Sequence, residues 1–370
     1  MFDDRRLLHH LDWLLLTAVL LLTVVGLAMI YSTTFNPLKP EGLQVGPQFI
    51  RQGYAVVVGL FALAVCLMID YRRLCENSLA IYVIVALLLI YVLFFGSSGG
   101  GARRWISISG FNLQPSEFMK IALALALATF FAENGRGASN NGDLLVGGLF
   151  IGTAFILIAR EPDLGSAVTL LPIAFGIMLL AGLRLKLLGI LLAVAVVAAP
   201  IAWTFALKDY QKSRIATFLD PEQDSQGAGY QQIQARVTAG SGGLTGKGFR
   251  QGTQGQYKFL PVAHNDFIYS VLAEEQGFLG VLATLGLYLF VVLRSLEAAR
   301  LAKDRHGAYL VVGLVSGFTF QVIYNITMSA GLAPVKGLTL PLMSYGGSSI
   351  IATLASFGLI LNVRMRRFTN

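Results

Sequence analysis

A carboxylate stands at the entrance of a long apolar run, in the stretch LPVAHNDFIYSVLAEEQG that covers residues 260–277. Asp266 precedes the run, and Glu274 and Glu275 lie inside it. Ionisable groups in an apolar span are costly, so they indicate a functional site by default. Asp266 could be a general base, a member of a proton relay or a cation ligand. The simpler alternative is that it caps the helix that follows.

The carboxylates of this stretch follow a helical spacing. Asp266, Glu274 and Gly277 fall on one helix face, with Tyr269, Ser270 and Ala273 between them. Glu274 would lie about 12 Å deeper than Asp266, at 1.5 Å per residue. A polar stripe on an apolar helix must face protein or a water-filled cavity rather than lipid. We therefore predict that Asp266 and Glu274 face one polar cavity, and we assign no chemistry to Glu274 or Glu275.

A second charged group opens another apolar run, in QPSEFMK over residues 114–120. Ser116 can cap a helix there, while Glu117 and Lys120 are three residues apart and can form a structural ion pair. The functional alternative is that Lys120 presents its cation to an anionic substrate that Glu117 helps to position.

Two further short motifs combine charge with a turn or an interface. ARRW over 102–105 suits an interfacial anchor, while the planar fork of Arg104 beside Trp105 also suits the oxygens of a lipid pyrophosphate. EPDLGS over 161–166 sets Glu161 and Asp163 at a tight turn between spans, where a helix cap is the favoured role.

Nucleotide and metal sites have no clear signature. GSGGLTGKG over 240–248 departs from a P-loop at its first glycine and its last Ser/Thr position, and no strand precedes it. The four histidines lack a ligand spacing, and the two cysteines are not paired with them. We expect no cofactor; a carboxylate-bound divalent cation is possible but has no motif.

The composition is that of a membrane protein. Hydrophobic residues make up 55% of the chain and charged residues only 13%, whereas soluble domains carry about a quarter charged residues. The net charge of +8 fits topogenic and lipid-facing cations better than nucleic-acid binding. We predict a single all-α polytopic membrane domain over residues 1–370 that binds membrane lipids and no nucleic acid.

Apolar runs predict ten transmembrane helices, because backbone polar groups in lipid must be satisfied within each segment. The predicted spans are 13–31, 52–70, 78–95, 117–132, 144–160, 164–182, 188–207, 266–293, 308–330 and 346–363.

Basic residues predict the orientation. Outside the long segment 208–265, the connections on the side of the N-terminus carry twice as many Lys and Arg as those on the other side. The positive-inside rule then puts both termini in the cytoplasm. The long segment becomes a large extracytoplasmic loop between helices 7 and 8, with a short amphipathic helix over 230–239 and a glycine-rich turn or re-entrant part after it.

Long motifs across the chain resemble the SEDS family. They are RRWISISGFNLQPSEFMKI, EPDLGSA, the stretch from YQKSRIATFLDPEQ to GGLTGKGF, GTQGQYKFLPVAHNDFIYSVLAEEQGFLG and LPLMSYGGSS, in the order and spacing of that family from about residue 13 to 365. GTQGQYKFLP is more similar to the elongation (rod-shape) branch than to the division branch. Lys336 departs from the family pattern, in which a small polar residue is usual.

The resemblance implies a ten-helix peptidoglycan glycosyltransferase of the bacterial cytoplasmic (inner) membrane. Such enzymes polymerise lipid II into glycan strands outside that membrane, with a class B penicillin-binding protein as transpeptidase partner and, in this branch, the elongation machinery. The catalytic aspartate of the family corresponds to Asp266. Its Glu and Lys correspond to Glu117 and Lys120, and its Arg-Trp pair to Arg104 and Trp105.

Lipid II polymerisation forms β-1,4 links from α-linked donors, which implies one inverting displacement. That step needs a base on the acceptor hydroxyl and positive charge for the departing pyrophosphate. We predict Asp266 as the base, with the pyrophosphate held by the cations Lys120, Arg104, Arg214, Lys247 and Lys336. A helix N-terminus and cations would lower the pKa of Asp266, so a good base would need compensating desolvation.

Two other functions fit part of the sequence. A lipid II flippase or other transporter also needs many spans and buried charges, although no internal repeat is evident. A scaffold that only activates its penicillin-binding partner would need no catalytic carboxylate.

Overall fold

The computed structural model describes residues 10–35, 44–99, 102–108, 111–134, 141–183, 189, 204, 209–224, 227–256, 259–260 and 263–368. Long helices make up most of this part of the chain. In the first half they are α1 (Trp13–Thr34), α2 (Pro47–Met68), α3 (Tyr71–Glu76), α4 (Ser78–Phe95), α5 (Pro115–Glu133), α6 (Asn141–Arg160) and α7 (Leu164–Leu180).

Shorter helices and three long ones follow in the second half. They are α8 (Asp209–Leu219), α9 (Ala228–Gly240), α10 (Thr253–Gln256), α11 (Ile268–Arg300), α12 (Arg305–Ser329) and α13 (Gly347–Met365), with single 3₁₀ turns at Pro221–Gln223 and Arg366–Phe368.

Eight of the described helices are long and apolar enough to cross a membrane, namely α1, α2, α4, α5, α6, α11, α12 and α13. They correspond to predicted spans one to five and eight to ten. The sixth predicted span is the shorter apolar helix α7, of 17 residues. The seventh, 188–207, lies outside the described residues except for positions 189 and 204.

α5 and α13 lie in the centre of the bundle, buried along most of their length. Their apolar side chains pack into one continuous core with those of the surrounding long helices. Because α5 begins within the QPSE sequence, this arrangement carries the first turn of a deeply buried helix to the end of the bundle where the candidate site lies.

Buried ion pairs extend α11 beyond its predicted end at residue 293. Arg294 binds Asp12 at 2.9 Å, and Arg364 binds the same carboxylate at 3.0 Å. Asp12 also caps α1 through the amide of Leu15. Since these pairs satisfy the charges, the helix continues to Arg300 through residues that the hydropathy pattern excluded.

Three short strands occupy the glycine-rich segment between α4 and α5. β1 (Ser97–Gly99), β2 (Ala102–Ile108) and β3 (Phe111–Leu113) form an antiparallel sheet in the order β1-β2-β3. Ser97 pairs with Trp105 across the first ladder. This small sheet adds to the predicted all-α architecture and orients the ARRW motif.

The segment predicted as the long loop is largely structured where it is described. The amphipathic helix expected over 230–239 is α9, and α8 precedes it. α9 packs against α11 and α12 through a small apolar cluster that includes Ala235, Phe267 and Met328. This packing fixes the segment against the helix that follows Asp266.

Candidate active site

A polar cleft of about 310 Å³ opens where β2, the first turn of α5, the α6–α7 turn and the segment before α13 meet. Among the residues predicted for the site, Asp266, Arg104, Trp105 and Glu117 line it. Lys120, Arg214, Lys247 and Lys336 do not belong to its lining. The other polar side chains that line it include Arg51, Asn112, Gln114, Asp163, Ser166, Asn265, Thr339, Tyr345, Ser348 and Ser349.

Asp266 lies in a turn and does not cap α11. The helix begins at Ile268 after Phe267, and no side chain caps it, so the capping interpretation is wrong. Asn325 donates its amide protons to the backbone carbonyls of Asp266 at 2.9 Å and Leu338 at 2.7 Å. This bridge holds the Asp266 turn against the segment before α13.

The carboxylate of Asp266 is not committed to a structural hydrogen bond within the described part of the chain. Gly337, with φ at +68°, carries the neighbouring backbone past it, and a Cβ there would lie 3.8 Å from Oδ2. Burial raises the pKa of Asp266 to about 6, against the opposing positive charge of Arg214. The desolvation that a good base requires is therefore present, and the group still ionises at neutral pH.

Arg104 is fixed at the rim by the α6–α7 turn. Its Nε donates to the carbonyl of Glu161 at 3.2 Å, and its Nη2 donates to the carbonyl of Pro162. Ser97 donates from its hydroxyl to the carbonyl of Trp105 at 3.0 Å, which ties β2 to β1. The sheet and the turn thus hold a guanidinium and an indole at the cleft wall.

The two carboxylates of the α6–α7 turn differ in their surroundings. Asp163 caps α7, accepting from the amide of Ser166 at 3.1 Å, from its hydroxyl at 2.8 Å and from Gln114 at 3.1 Å. Glu161 is buried, and neither of its carboxylate oxygens has a partner among the described residues. Burial and the charge of Asp163 raise the pKa of Glu161 to about 8, while Arg104 opposes them. The cap role holds for Asp163 and not for Glu161.

Glu117 and Lys120 form the predicted ion pair, at 2.7 Å. Lys120 also donates to Gln321 at 3.3 Å and lines a separate cavity of about 40 Å³, which shares Glu117 with the cleft. The ammonium group therefore lies behind Glu117 and not in the lining of the cleft. α5 itself begins at Pro115, so Ser116 is not its cap.

The remaining predicted cations are separated from one another. Arg214 lies exposed on α8. Its charge opposes the rise that burial causes in the pKa of Asp266, and it adds to the lowering that burial causes in the pKa of Lys336. Lys336 is half-buried, with its ammonium 5.9 Å from the ring centroid of Tyr324. Lys247 instead binds Glu274 at 2.6 Å. Arg214 thus lies close enough to act on Asp266 and on Lys336, whereas Lys247 is bound to Glu274.

The polar stripe predicted from Asp266 to Glu274 does not face a single cavity. Glu274 is fully buried and contacts the glycine-rich segment that follows α9, while Asp266 lines the cleft. The common-cavity prediction is wrong because Asp266 lies in the turn before the helix, whereas Glu274 lies within the helix and is covered by the segment that follows α9.

Sequence reasoning gave no role to several polar residues of the cleft. Arg51, in the first turns of α2, lines the cleft although its local sequence has no motif. Ser348 accepts from the amide of Gln114 at 2.8 Å and donates to the carbonyl of Asn112 at 3.0 Å. The polar run SYGGSS before an apolar span was the available signal for Ser348 and Tyr345.

Comparison with known proteins agrees with these features. The model of the cell cycle protein family of FtsW, RodA and SpoVE matches residues 12–368. The peptidoglycan glycosyltransferase MrdB of Escherichia coli K12 is 37% identical over 360 residues, covering 97% of this chain and 94% of the relative. A probable peptidoglycan glycosyltransferase FtsW of Trichlorobacter lovleyi is 36% identical over 361 residues, covering 96% and 93%.

Solved structures show the same architecture. A chain of a peptidoglycan synthase complex that coordinates polymerisation and crosslinking superposes with a TM-score of 0.83 at 32% identity, covering 97% of this chain and 99% of that one. The rod shape determining protein RodA of Thermus thermophilus gives 0.72 at 30% identity, covering 97% and 98%. The chain is therefore a multi-pass membrane protein and a member of the FtsW/RodA/SpoVE (SEDS) family.

Proposed function

We propose that the protein is a peptidoglycan glycosyltransferase that polymerises lipid II into β-1,4-linked glycan strands during cell elongation. Family membership supports the reaction class, and similarity to MrdB and RodA supports the elongation branch. The observation that carries the proposal is the carboxylate of Asp266, which is desolvated, faces the cleft and is committed to no hydrogen bond with the described residues.

The reaction is a single inverting displacement. Asp266 takes the proton of the acceptor 4-hydroxyl as its oxygen attacks the anomeric carbon of the donor. The bond from that carbon to the lipid pyrophosphate breaks, and its electron pair leaves with the pyrophosphate. No nucleotide takes part, because the donor already carries the activated bond.

The departing pyrophosphate needs positive charge. Arg104 at the rim and Arg51 on α2 both line the cleft, the charge of Arg214 acts on Asp266, and Lys336 lies within reach of the Arg214 charge. Arginine forks suit pyrophosphate oxygens because they donate two parallel hydrogen bonds. We assign the clamp to these four residues. Lys120 is not part of the clamp but neutralises Glu117, which lines the cleft. Lys247 is not part of the clamp, because it binds Glu274.

The cleft would open to the outer face of the cytoplasmic membrane. The excess of basic residues on the side of the N-terminus supports cytoplasmic termini. The relative solved in a synthase complex supports a class B penicillin-binding protein as partner, within the elongation machinery. Apolar faces of the long helices would hold the polyprenyl tails of lipid II and the growing glycan chain.

Product analysis in proteoliposomes tests the function. The purified protein and a class B penicillin-binding protein are reconstituted with fluorescent lipid II, and glycan polymers are separated by electrophoresis while transbilayer movement is followed by quenching. We expect polymers that lysozyme digests. Movement of lipid II without polymer would instead identify a transporter. Absence of both from the complex would leave only a scaffold.

A further inference from the structure

α11 is interrupted inside its apolar stretch. Gly277 has φ +67° and ψ −167°, far from helical values. A regular helix would join the amides of Phe278 and Leu279 to the carbonyls of Glu274 and Glu275, four residues earlier. The break leaves these two donors and two acceptors without helical partners, which is costly in apolar surroundings.

The glycine-rich segment after α9 supplies all four missing partners. The amides of Lys247 and Gly248 donate to the carbonyls of Glu274 and Glu275, at 2.9 and 3.0 Å. In the opposite direction, the amides of Phe278 and Leu279 donate to the carbonyls of residues 243 and 244, at 2.9 and 3.1 Å. The segment therefore replaces the missing helical hydrogen bonds and is not a free surface loop.

The fit depends on glycine at the point of closest approach. Gly246 has φ +80°, and a Cβ on it would overlap the carbonyl of Glu275. A Cβ on Gly277 would overlap the amide nitrogen of Gly246. Both backbones therefore need glycine for conformation and for space.

Side chains lock the same contact. One oxygen of the fully buried Glu274 accepts from Lys247 Nζ at 2.6 Å, from the hydroxyl of Thr253 at 3.2 Å and from the amide of Gln254 at 3.1 Å. The hydroxyl of Ser32 on α1 donates to Glu275. We use the name latch for the four residues that make this contact, Lys247, Thr253, Gln254 and Glu274.

The latch contacts the helix that follows Asp266. It joins residues 247–254, which precede Asp266, to Glu274 on the helix that begins two residues after it. The Asp266 turn thus lies next to the helix end that the latch holds, although no latch residue lines the cleft.

We propose that Lys247 and Glu274 are positioning residues that hold the first turns of α11, and with them the Asp266 turn, at the cleft. The inference rests on the proposed glycosyl transfer and adds residues that do not touch substrate. Because Glu274 is buried, its charge needs the Lys247 ammonium, and loss of that partner would loosen the contact between residues 241–254 and α11. Small displacements of a reacting group can reduce rates strongly even when substrate still binds.

The test combines kinetics with hydrogen exchange on the full-length protein in complex with its penicillin-binding partner. Lys247→Met removes the charge and keeps the length, Lys247→Arg keeps the charge, and Glu274→Gln removes the buried charge while keeping an acceptor. Lys212→Met, on α8 and outside the latch, is the matched control. Amide exchange of residues 241–254 is measured for each variant by mass spectrometry.

We expect Lys247→Met to lower kcat about tenfold or more with little change in KM for lipid II. Lys247→Arg should restore most of the rate. The double variant with Glu274→Gln should lose no more than Lys247→Met alone, because both act through one contact. Exchange in 241–254 should quicken in Lys247→Met and Glu274→Gln but not in the control.

Other results would overturn the inference. A rise in KM alone in Lys247→Met would make Lys247 a substrate-binding residue. If the double variant lost as much activity as the two single variants added together, Lys247 and Glu274 would act independently. Unchanged exchange of 241–254 in both Lys247→Met and Glu274→Gln would disprove the latch whether or not the protein is active. If the wild type makes no polymer while the exchange changes as expected, the proposed function fails and the latch stands without its catalytic role.

Discussion

Asp266 and Glu274 lie eight residues apart, yet their surroundings are opposite. The carboxylate of Asp266 faces an open cleft and accepts no hydrogen bond from the described residues. Arginines line the same cleft, and the charge of Arg214 acts on Asp266. One oxygen of Glu274 accepts from Lys247, Thr253 and Gln254 and is closed off from solvent. A carboxylate that takes part in a reaction must keep its acceptor capacity for the substrate, whereas one that holds the fold uses it on the protein.

The two ion pairs of the region repeat this contrast. The pair of Glu117 and Lys120 lies directly behind the cleft, and Glu117 lines it. The pair of Lys247 and Glu274 is remote from the cleft lining and bridges a loop to a broken helix. One ion pair therefore contributes a side chain to the cleft, and the other holds a loop against a broken helix. The difference follows from the contacts of each pair and not from residue type.

Substitution of Asp266 should have the largest effect on catalysis. Asp266→Asn keeps the shape of the side chain and removes its basicity, so we expect lipid II polymerisation to fall by about 10²–10⁴-fold. Glu222→Gln, an exposed carboxylate in the same long segment, should leave the rate unchanged. Thermal unfolding of both variants in detergent should match the wild type; a fully active Asp266→Asn protein would remove the base from the mechanism.

Substitution of Gly277 should mainly reduce stability. Gly277→Ala places a Cβ in a strained conformation and against the backbone of Gly246, which should cost about 1–3 kcal/mol or more. Gly286→Ala in the same helix is the matched control, because its Cβ meets no atom within 4 Å and alanine favours helix. Thermal unfolding should separate the two variants. Equal stability would mean that the break tolerates a side chain.

Glu161 should give a smaller effect, confined to alkaline pH. Its pKa of about 8 keeps it neutral below that pH, and above it a negative charge develops beside Arg104. The clamp on pyrophosphate should then weaken, so kcat/KM should fall severalfold as pH rises past about 8. Glu161→Gln should remove this decline; a decline of the same size in the variant would assign it to another group.

Sequence alone predicted the parts of the site that lie in local motifs. Asp266, Glu117, Arg104 and Trp105 follow from short segments, and all four line the cleft. Arg51 gave no such signal, because the neighbours that give it a role come from distant segments.

The latch was not predictable for a similar reason. Lys247 and Glu274 are 27 residues apart, and they meet only because the helix breaks at Gly277. Hydropathy placed most long helices but ended α11 seven residues early, since it could not anticipate the bond between Arg294 and Asp12. The strands around residue 105 were missed because they are short and flanked by glycines.

The pH dependence of polymerisation below neutrality tests the role of Asp266 most directly. Because the pKa of Asp266 is raised to about 6, the ionised base is lost as pH falls through that value. The wild-type kcat/KM should therefore fall about tenfold per pH unit well below pH 6. The residual rate of Asp266→Asn should be flat over the same range. An acid limb that persists unchanged in Asp266→Asn would contradict the assignment of Asp266 as the general base.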